Sequence, residues 1–235
     1  MTPPPIKRPT DRLLTASAEK CFANGTRLMD ETYDLEFRDV SATRVYMAMI
    51  AQEESAKAFM LLLVRDDVVP FSRPVLRAMN DYSCKQLVGM IMDYVIMHWD
   101  ELDEMEAMIA AEVELGDRFP DDVGSALEML RYEKIGRWES GVWCYADDPN
   151  YDRGAQDVAD GKRDRLKQDA LYVRIGKDGQ AISVPDRISL TETKVEEDRA
   201  VRYKGLIGSA LQGGTPPFRY EKTIKALRAL FESRT

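Results

Sequence analysis

The sequence is poor in the residues that build metal sites and disulfide frameworks. It has one histidine, His98, and three cysteines that lie far apart, Cys21, Cys84 and Cys144. One histidine excludes a multi-histidine metal site, and scattered cysteines make a zinc site unfavourable. An odd number of cysteines without a CxxC pair indicates a reducing compartment. We therefore expect no metal, no other cofactor and a cytoplasmic protein.

Long apolar runs and basic runs are also missing. The longest apolar run, AFMLLLV at 58–64, has seven residues, whereas a membrane-spanning helix needs about 20. The N-terminus, MTPPPIKRPTDR, lacks the apolar core of a signal peptide. The net charge is -8, so RNA contact would need a local basic patch. These absences predict a protein without membrane contacts and without a general attraction to nucleic acid.

What the sequence does have is helical periodicity along most of its 235 residues. The four prolines in residues 1–10 predict a disordered arm, residues 11–145 a helical core, and residues 146–235 a loop, a hairpin and further helices. The apolar spacing predicts helices from 11, over 40–65, from 73 towards 115 as one long helix or two with a kink, over 121–138, over 157–168, from 189 or 191 to about 212, and over 218–235. The pattern predicts a mainly α fold.

Local signals sharpen these expectations. Asp11 and Ser41 are the predicted caps of the first two helices, and Pro74 fits the first turn of the third. The stretch LYVRIGKDGQAISVP, at 171–185, has β-favouring residues on both sides of Lys177-Asp178-Gly179. This arrangement predicts a small C-terminal β-hairpin.

The stretch AQEESAKAFMLLL, at 51–63, places three charged residues in an apolar helix. At 100° per residue, Glu53 and Lys57 lie at the edge of the apolar arc and Glu54 nearly opposite, also among apolar residues. A helix that is apolar almost all round is enclosed by protein, here in the core or at a homodimer interface. Either Glu54 and Lys57 form a helix-surface ion pair, or they are a partly desolvated acid–base pair in a cleft.

Four segments in order resemble one protein family. SATRVYMAMIAQEESAKAFMLLL (41–63) resembles the E-E-x-x-K-A helix of AbiV-type abortive-infection proteins, which are relatives of the HEPN helical superfamily. Further similar segments are LLTASAEKCFANGTRLMD (13–30), RAMNDYSCKQL (77–87) and DRLKQDALYVRIGKDGQAISVP (164–185), the last with the K-x-x-x-L-Y-V pattern. The resemblance implies a HEPN-like helical bundle and a bacterial antiphage protein that acts on RNA or translation.

The resemblance also implies site residues and partners. Many HEPN relatives are dimeric, metal-independent ribonucleases with an Arg, four to six residues and a His. Here Arg77 is followed at that spacing by Tyr82, in the place of His, and Lys85 occupies the lysine position. Tyrosine is a poor base at neutral pH, so Glu54 or Lys57 would have to supply one.

The candidate catalytic residues are thus Glu54, Lys57, Arg77, Tyr82 and Lys85. The expected partners are a second copy of the chain, RNA and a phage-encoded trigger protein. Two alternatives to a ribonuclease stay open. One is a non-catalytic interaction or regulatory module that binds a phage or host protein, and the other is a structural helical dimer.

Overall fold

The computed structural model describes residues 6–35, 37, 41–97, 121–143 and 150–212. Its elements are α1 (Asp11–Asp34), α2 (Ser41–Arg65), α3 (Arg73–Ala78), α4 (Tyr82–Met97), α5 (Asp121–Glu128), a π-helical segment (Met129–Gly136), α6 (Arg137–Ser140), α7 (Arg153–Ala159), α8 (Lys162–Asp169), β1 (Arg174–Ile175), β2 (Ala181–Ser183), a 3₁₀ turn (Pro185–Arg187) and α9 (Leu190–Leu211). The mainly α prediction with a small β-hairpin is confirmed. The predicted helices after His98 and over 218–235 lie outside the described residues.

The helix starts differ in detail from the predicted caps. Thr10, not Asp11, caps α1, and its hydroxyl accepts a hydrogen bond from the Leu13 N–H at 3.3 Å. Ser41 is the first residue of α2 rather than its cap. Ser189 caps α9 in a reciprocal capping box with Glu192, which decides between the two predicted starts of that helix.

The helix predicted from residue 73 is interrupted between α3 and α4. Pro74 lies in the first turn of α3, as predicted, and α3 ends at Ala78. The carboxylate of Asp81 accepts a hydrogen bond from the Cys84 N–H at 3.0 Å and so caps the start of α4. This short break places Arg77 and Tyr82 on two different helices.

Two other predicted helices have a more complex form. The stretch predicted over 121–138 continues to Ser140, and its middle part, Met129–Gly136, is π-helical. The polar stretch predicted over 157–168 forms α7 and α8, which are separated at Gly161, whose φ is +78°. Glycine has no Cβ and adopts this left-handed conformation easily, so the chain turns there.

The hairpin pairs β1 and β2 in antiparallel order. Arg174 lies opposite Ser183 and Ile175 opposite Ala181, with a register irregularity between them. The predicted turn is present, and Gly179 supplies the left-handed residue with a φ of +79°.

Helix α2 lies at the centre of the fold. It packs against α1, α4, α8 and α9, and its most buried apolar residues are Val45, Ala48, Ala56, Ala58, Phe59, Leu62 and Val64. Most of the apolar surface of α2 is therefore covered by its own chain, while Met47, Ile50 and Leu61 stay partly exposed. The main core cluster extends from Leu14 to Ala210 and includes residues from both predicted segments, 11–145 and 146–235.

Candidate functional site

Glu53 is a deeply buried charged residue on α2, and its carboxylate holds two lysines. Its Oε2 accepts a hydrogen bond from Lys85 Nζ at 2.6 Å, and its Oε1 accepts one from Lys167 Nζ at 2.6 Å. The exposed fractions are 4% for Glu53, 7% for Lys85 and 5% for Lys167. Charged side chains this buried need partners, and here three helices, α2, α4 and α8, supply them to one another.

The ring of Tyr82 covers both ammonium groups. Lys167 Nζ lies 3.7 Å and Lys85 Nζ 4.7 Å from the centroid of that ring, within the range of cation–π attraction. The residue itself is 52% exposed, so its ring separates the lysines from solvent. We call Glu53, Lys85, Lys167, Asp164 and Tyr82 the lysine–glutamate cluster.

Asp164 completes the charge balance of the cluster. Its Oδ1 lies 2.9 Å from Lys167 Nζ, one turn along α8. Burial lowers the pKa of Lys167, but hydrogen bonds to Glu53 and Asp164 and the negative charges of these two carboxylates together outweigh burial, so its pKa is raised above the ordinary value. Two ammonium groups thus face two carboxylates, and the cluster carries no net charge.

Glu54 and Lys57, two of the predicted site residues, form a separate pair. Lys57 Nζ donates to Glu54 Oε1 at 2.6 Å, and the two side chains are 25% and 15% exposed. Glu54 faces α1, where burial and the Glu54 charge together raise the pKa of Cys21 to about 11. Lys57 pairs with Glu54 and not with Glu53, although both glutamates are within its helical reach.

Arg77 lies in a third place. Its guanidinium carbon is 4.4 Å from the centroid of the Trp138 ring, in a cleft between α3 and the segment 129–138. The five predicted residues therefore occupy three locations: Glu54 with Lys57, Tyr82 with Lys85, and Arg77 with Trp138. Glu53, Lys167 and Asp164 are the members of the cluster that the sequence reasoning did not select.

A signal for one missed residue was present in the sequence. Lys167 begins the K-x-x-x-L-Y-V pattern in the segment 164–185 that carries the family resemblance. Nothing in that pattern connects it with Glu53, which lies 114 positions earlier.

A second layer of ion pairs surrounds the cluster and joins α2 and α8 to α9. Arg44 donates to both carboxylate oxygens of Glu197 at 2.8 Å, in a buried bidentate pair. Gln52 Nε2 donates to Glu196 Oε2 at 2.9 Å, and Arg163 donates to the same oxygen at 2.6 Å. These contacts fix the positions of the helices around Glu53.

The space beside the cluster is small. A cavity of about 20 Å³ is lined by Glu53, Lys85, Gln86 and Tyr203, among others. This volume holds about one water molecule, so the cluster as it stands does not admit a nucleotide. Its ammonium groups are engaged by carboxylates, which makes it an organising centre of the fold rather than an open acid–base site.

The described part of the chain contains no group of three or more His, Cys, Asp or Glu side chains placed to hold a metal ion. No helix within the described ranges is both long enough and apolar enough to cross a membrane.

Compared with family models, with curated proteins and with solved structures, the chain gives no significant match. The site is therefore interpreted from its own geometry.

Proposed function

We propose that the protein is a bacterial antiphage protein of the abortive-infection type that acts on RNA. The observation that carries this proposal is the lysine–glutamate cluster. Three of the four segments that resemble AbiV-type proteins contribute its charged residues: Glu53 from the first of them, Lys85 from the next, and Asp164 with Lys167 from the last. These segments are far apart in the sequence, and each resembles the same family. We therefore expect the place where they meet in the fold to be a feature that the family has in common.

The geometry supports binding to RNA, which halts translation, better than cleavage. The amines of Lys85 and Lys167 are held by carboxylates, and Glu54 is held by Lys57. Proton transfer to or from a substrate needs a group that can reach it with the correct protonation state. Among the predicted site residues, only Tyr82 and Arg77 keep polar groups outside these pairs.

Cleavage is the second candidate, and it rests on Tyr82 at the start of α4, because Arg77 lies apart beside Trp138. Tyr82 is half exposed there and can hydrogen-bond a phosphate oxygen, while an RNA 2′-OH would be the nucleophile. In this mode the reaction needs no metal.

One set of assays separates the candidates. Purified wild type, Tyr82→Phe and Tyr82→His are incubated with total RNA in EDTA and, in parallel, added to a cell-free translation reaction. Inhibited translation with intact RNA is the expected result. Metal-free cleavage, reduced in Tyr82→Phe and retained or increased in Tyr82→His, would establish the ribonuclease mode instead.

The same preparation tests the whole proposal. If wild type neither binds nor cleaves RNA, and a phage-sensitive host that expresses it gains no protection, the RNA-directed antiphage function is rejected. Protection without any RNA contact would favour the non-catalytic module that binds a phage or host protein.

We also propose a homodimer and a phage-encoded trigger protein as partners. Light scattering at micromolar concentration is expected to give about twice the chain mass of 26.8 kDa. A stable monomer would reject the dimer. Because most of α2 is covered within one chain, a dimer through α2 would have to use its partly exposed residues, among them Met47, Ile50 and Leu61.

A further inference from the structure

An open cleft of about 450 Å³ lies between α3 and the helical stretch 129–140. Its lining includes Arg77, Asp81, Glu133, Lys134, Arg137 and Trp138. Three of these residues, Arg77, Lys134 and Arg137, are cations. None of them forms an ion pair with a carboxylate in the described part of the chain. The Asp81 carboxylate is already engaged, because it accepts the Cys84 N–H and caps α4.

Two of these cations are stacked on indole rings. Arg77 lies 4.4 Å from the Trp138 ring centroid, and Arg137 lies 3.5 Å from that of Trp143. Stacking fixes the plane of a guanidinium group while its N–H edges stay available for hydrogen bonds. Trp143 is 55% exposed, so this pair is accessible from solvent.

The backbone of the cleft wall is unusual. Glu133 and Lys134 belong to the π-helical segment Met129–Gly136, and Arg137 and Trp138 follow it directly. π-Helical turns are rare and occur frequently at functional sites. The widened turn changes which side chains of the stretch face α3, and here it brings two cations and an indole to one side.

We propose that this cleft binds a nucleotide unit, a phosphate ester that carries an aromatic base. The guanidinium groups of Arg77 and Arg137 fit phosphate oxygens, and Lys134 adds a third positive charge. Each indole already carries a guanidinium group on one face, and a base of any identity can stack on the outer face of such a guanidinium plane. Against the carboxylates of Asp81 and Glu133, these three cations leave the cleft a small positive excess, and a chain of net charge -8 needs such local positive charge for RNA contact.

This inference deepens the RNA-directed function proposed above, and it rests on that function for the source of the ligand. A free mononucleotide and a single-stranded RNA present the same chemistry, so both are used as probes. Quenching of tryptophan fluorescence is measured with adenosine 5′-monophosphate, with adenosine and with an oligoribonucleotide of eight adenosines.

The test variant is the double substitution Arg77→Gln with Arg137→Gln, and the matched control is Arg131→Gln. Arg131 stacks on Tyr132 in the same helical stretch but does not line the cleft. Thermal melting checks that all variants are folded. We expect the monophosphate to bind more tightly than adenosine, and the double variant to weaken its binding at least about tenfold, with no change in the control.

Each outcome tests either the nucleotide site in the cleft or the RNA-directed function. The nucleotide site in the cleft is rejected if wild type and double variant bind the monophosphate with equal affinity. It is also rejected if neither nucleotide probe gives saturable quenching at millimolar concentration. Monophosphate binding without binding of the oligoribonucleotide supports the cleft and rejects the RNA-directed function. If the double variant binds the oligoribonucleotide as tightly as wild type does, the nucleotide site in the cleft is rejected, but the RNA-directed function is not.

Discussion

Lys167 Nζ lies 2.6 Å from Glu53 Oε1, although 114 positions separate the two residues in the chain. The contact joins α8, which precedes the hairpin, to the central helix α2. Lys85 on α4 binds the other oxygen of the same carboxylate. A single glutamate side chain therefore connects three helices.

Glu53→Gln should destabilise the fold strongly. The substitution keeps the shape of the side chain but leaves Lys85 without a counter-charge and Lys167 with Asp164 alone, a loss of about 3–5 kcal/mol in the free energy of unfolding. The matched control, Glu54→Gln, affects a pair with partly exposed side chains and should cost about 1 kcal/mol or less. Urea unfolding measures both. Equal losses would show that Glu53 carries no special role.

The Tyr82 ring, and not its hydroxyl group, should stabilise the cluster. Tyr82→Ala removes the aromatic face over two ammonium groups and exposes them, and we expect a loss of about 1 kcal/mol. Tyr82→Phe keeps the face and should be nearly neutral. Thermal denaturation of both variants compares them directly, and a loss in Tyr82→Phe as large as that in Tyr82→Ala would contradict the cation–π interpretation.

Substitutions at Gly89 and Tyr203 should have coupled effects on the free energy of unfolding. The single proton of the Tyr203 hydroxyl has two acceptors within reach, the Gly89 carbonyl oxygen at 2.7 Å and Asp93 Oδ2 at 3.0 Å. A Cβ on Gly89 would lie only 2.9 Å from that hydroxyl oxygen. Gly89→Ala should therefore cost about 1–3 kcal/mol, beyond the gain in helix propensity.

The double-mutant cycle with Tyr203→Phe measures this coupling. In the Tyr203→Phe background the hydroxyl oxygen is gone, and the remaining ring atoms are 3.4 Å or more from the added Cβ. Gly89→Ala should then be tolerated or stabilising. Additive losses in chemical denaturation would mean that the close approach does not determine the effect.

Cys21 should resist alkylation until the pH is strongly alkaline. Burial and the Glu54 carboxylate raise its pKa to about 11, so at pH 8 about one thiol in a thousand is ionised, and only the thiolate reacts. Reactivity should rise as the pH increases towards 11. Glu54→Gln removes the negative charge, lowers this pKa and should speed labelling at pH 8.

Mass spectrometry of the Cys21 peptide after iodoacetamide treatment follows this reaction site by site. Asp30→Asn, an exposed substitution on the same helix, serves as the control and should label at the wild-type rate. If Glu54→Gln also labels at that rate, Glu54 does not determine the thiol pKa.

Much of the fold could be predicted from local signals. Apolar spacing marked α2, the hairpin and α9, because these elements follow the side-chain periodicity of helices and strands and have turn or cap residues at their ends. The position of the break at 79–81 and the π-helical segment Met129–Gly136 could not be predicted in this way. A short interruption by a capping aspartate and a change from α to π hydrogen bonding leave the apolar spacing almost unchanged.

For the candidate site, the sequence by itself determined that charged residues lie within the apolar helix α2 and that Lys57 can reach Glu54 one turn away. Tertiary structure alone decided that Glu53 is the buried carboxylate, that Lys85 and Lys167 neutralise it, and that Arg77 lies apart with Trp138. The physical reason is that helical periodicity fixes which residues share a face. Which distant side chain compensates a buried charge depends on how the helices pack.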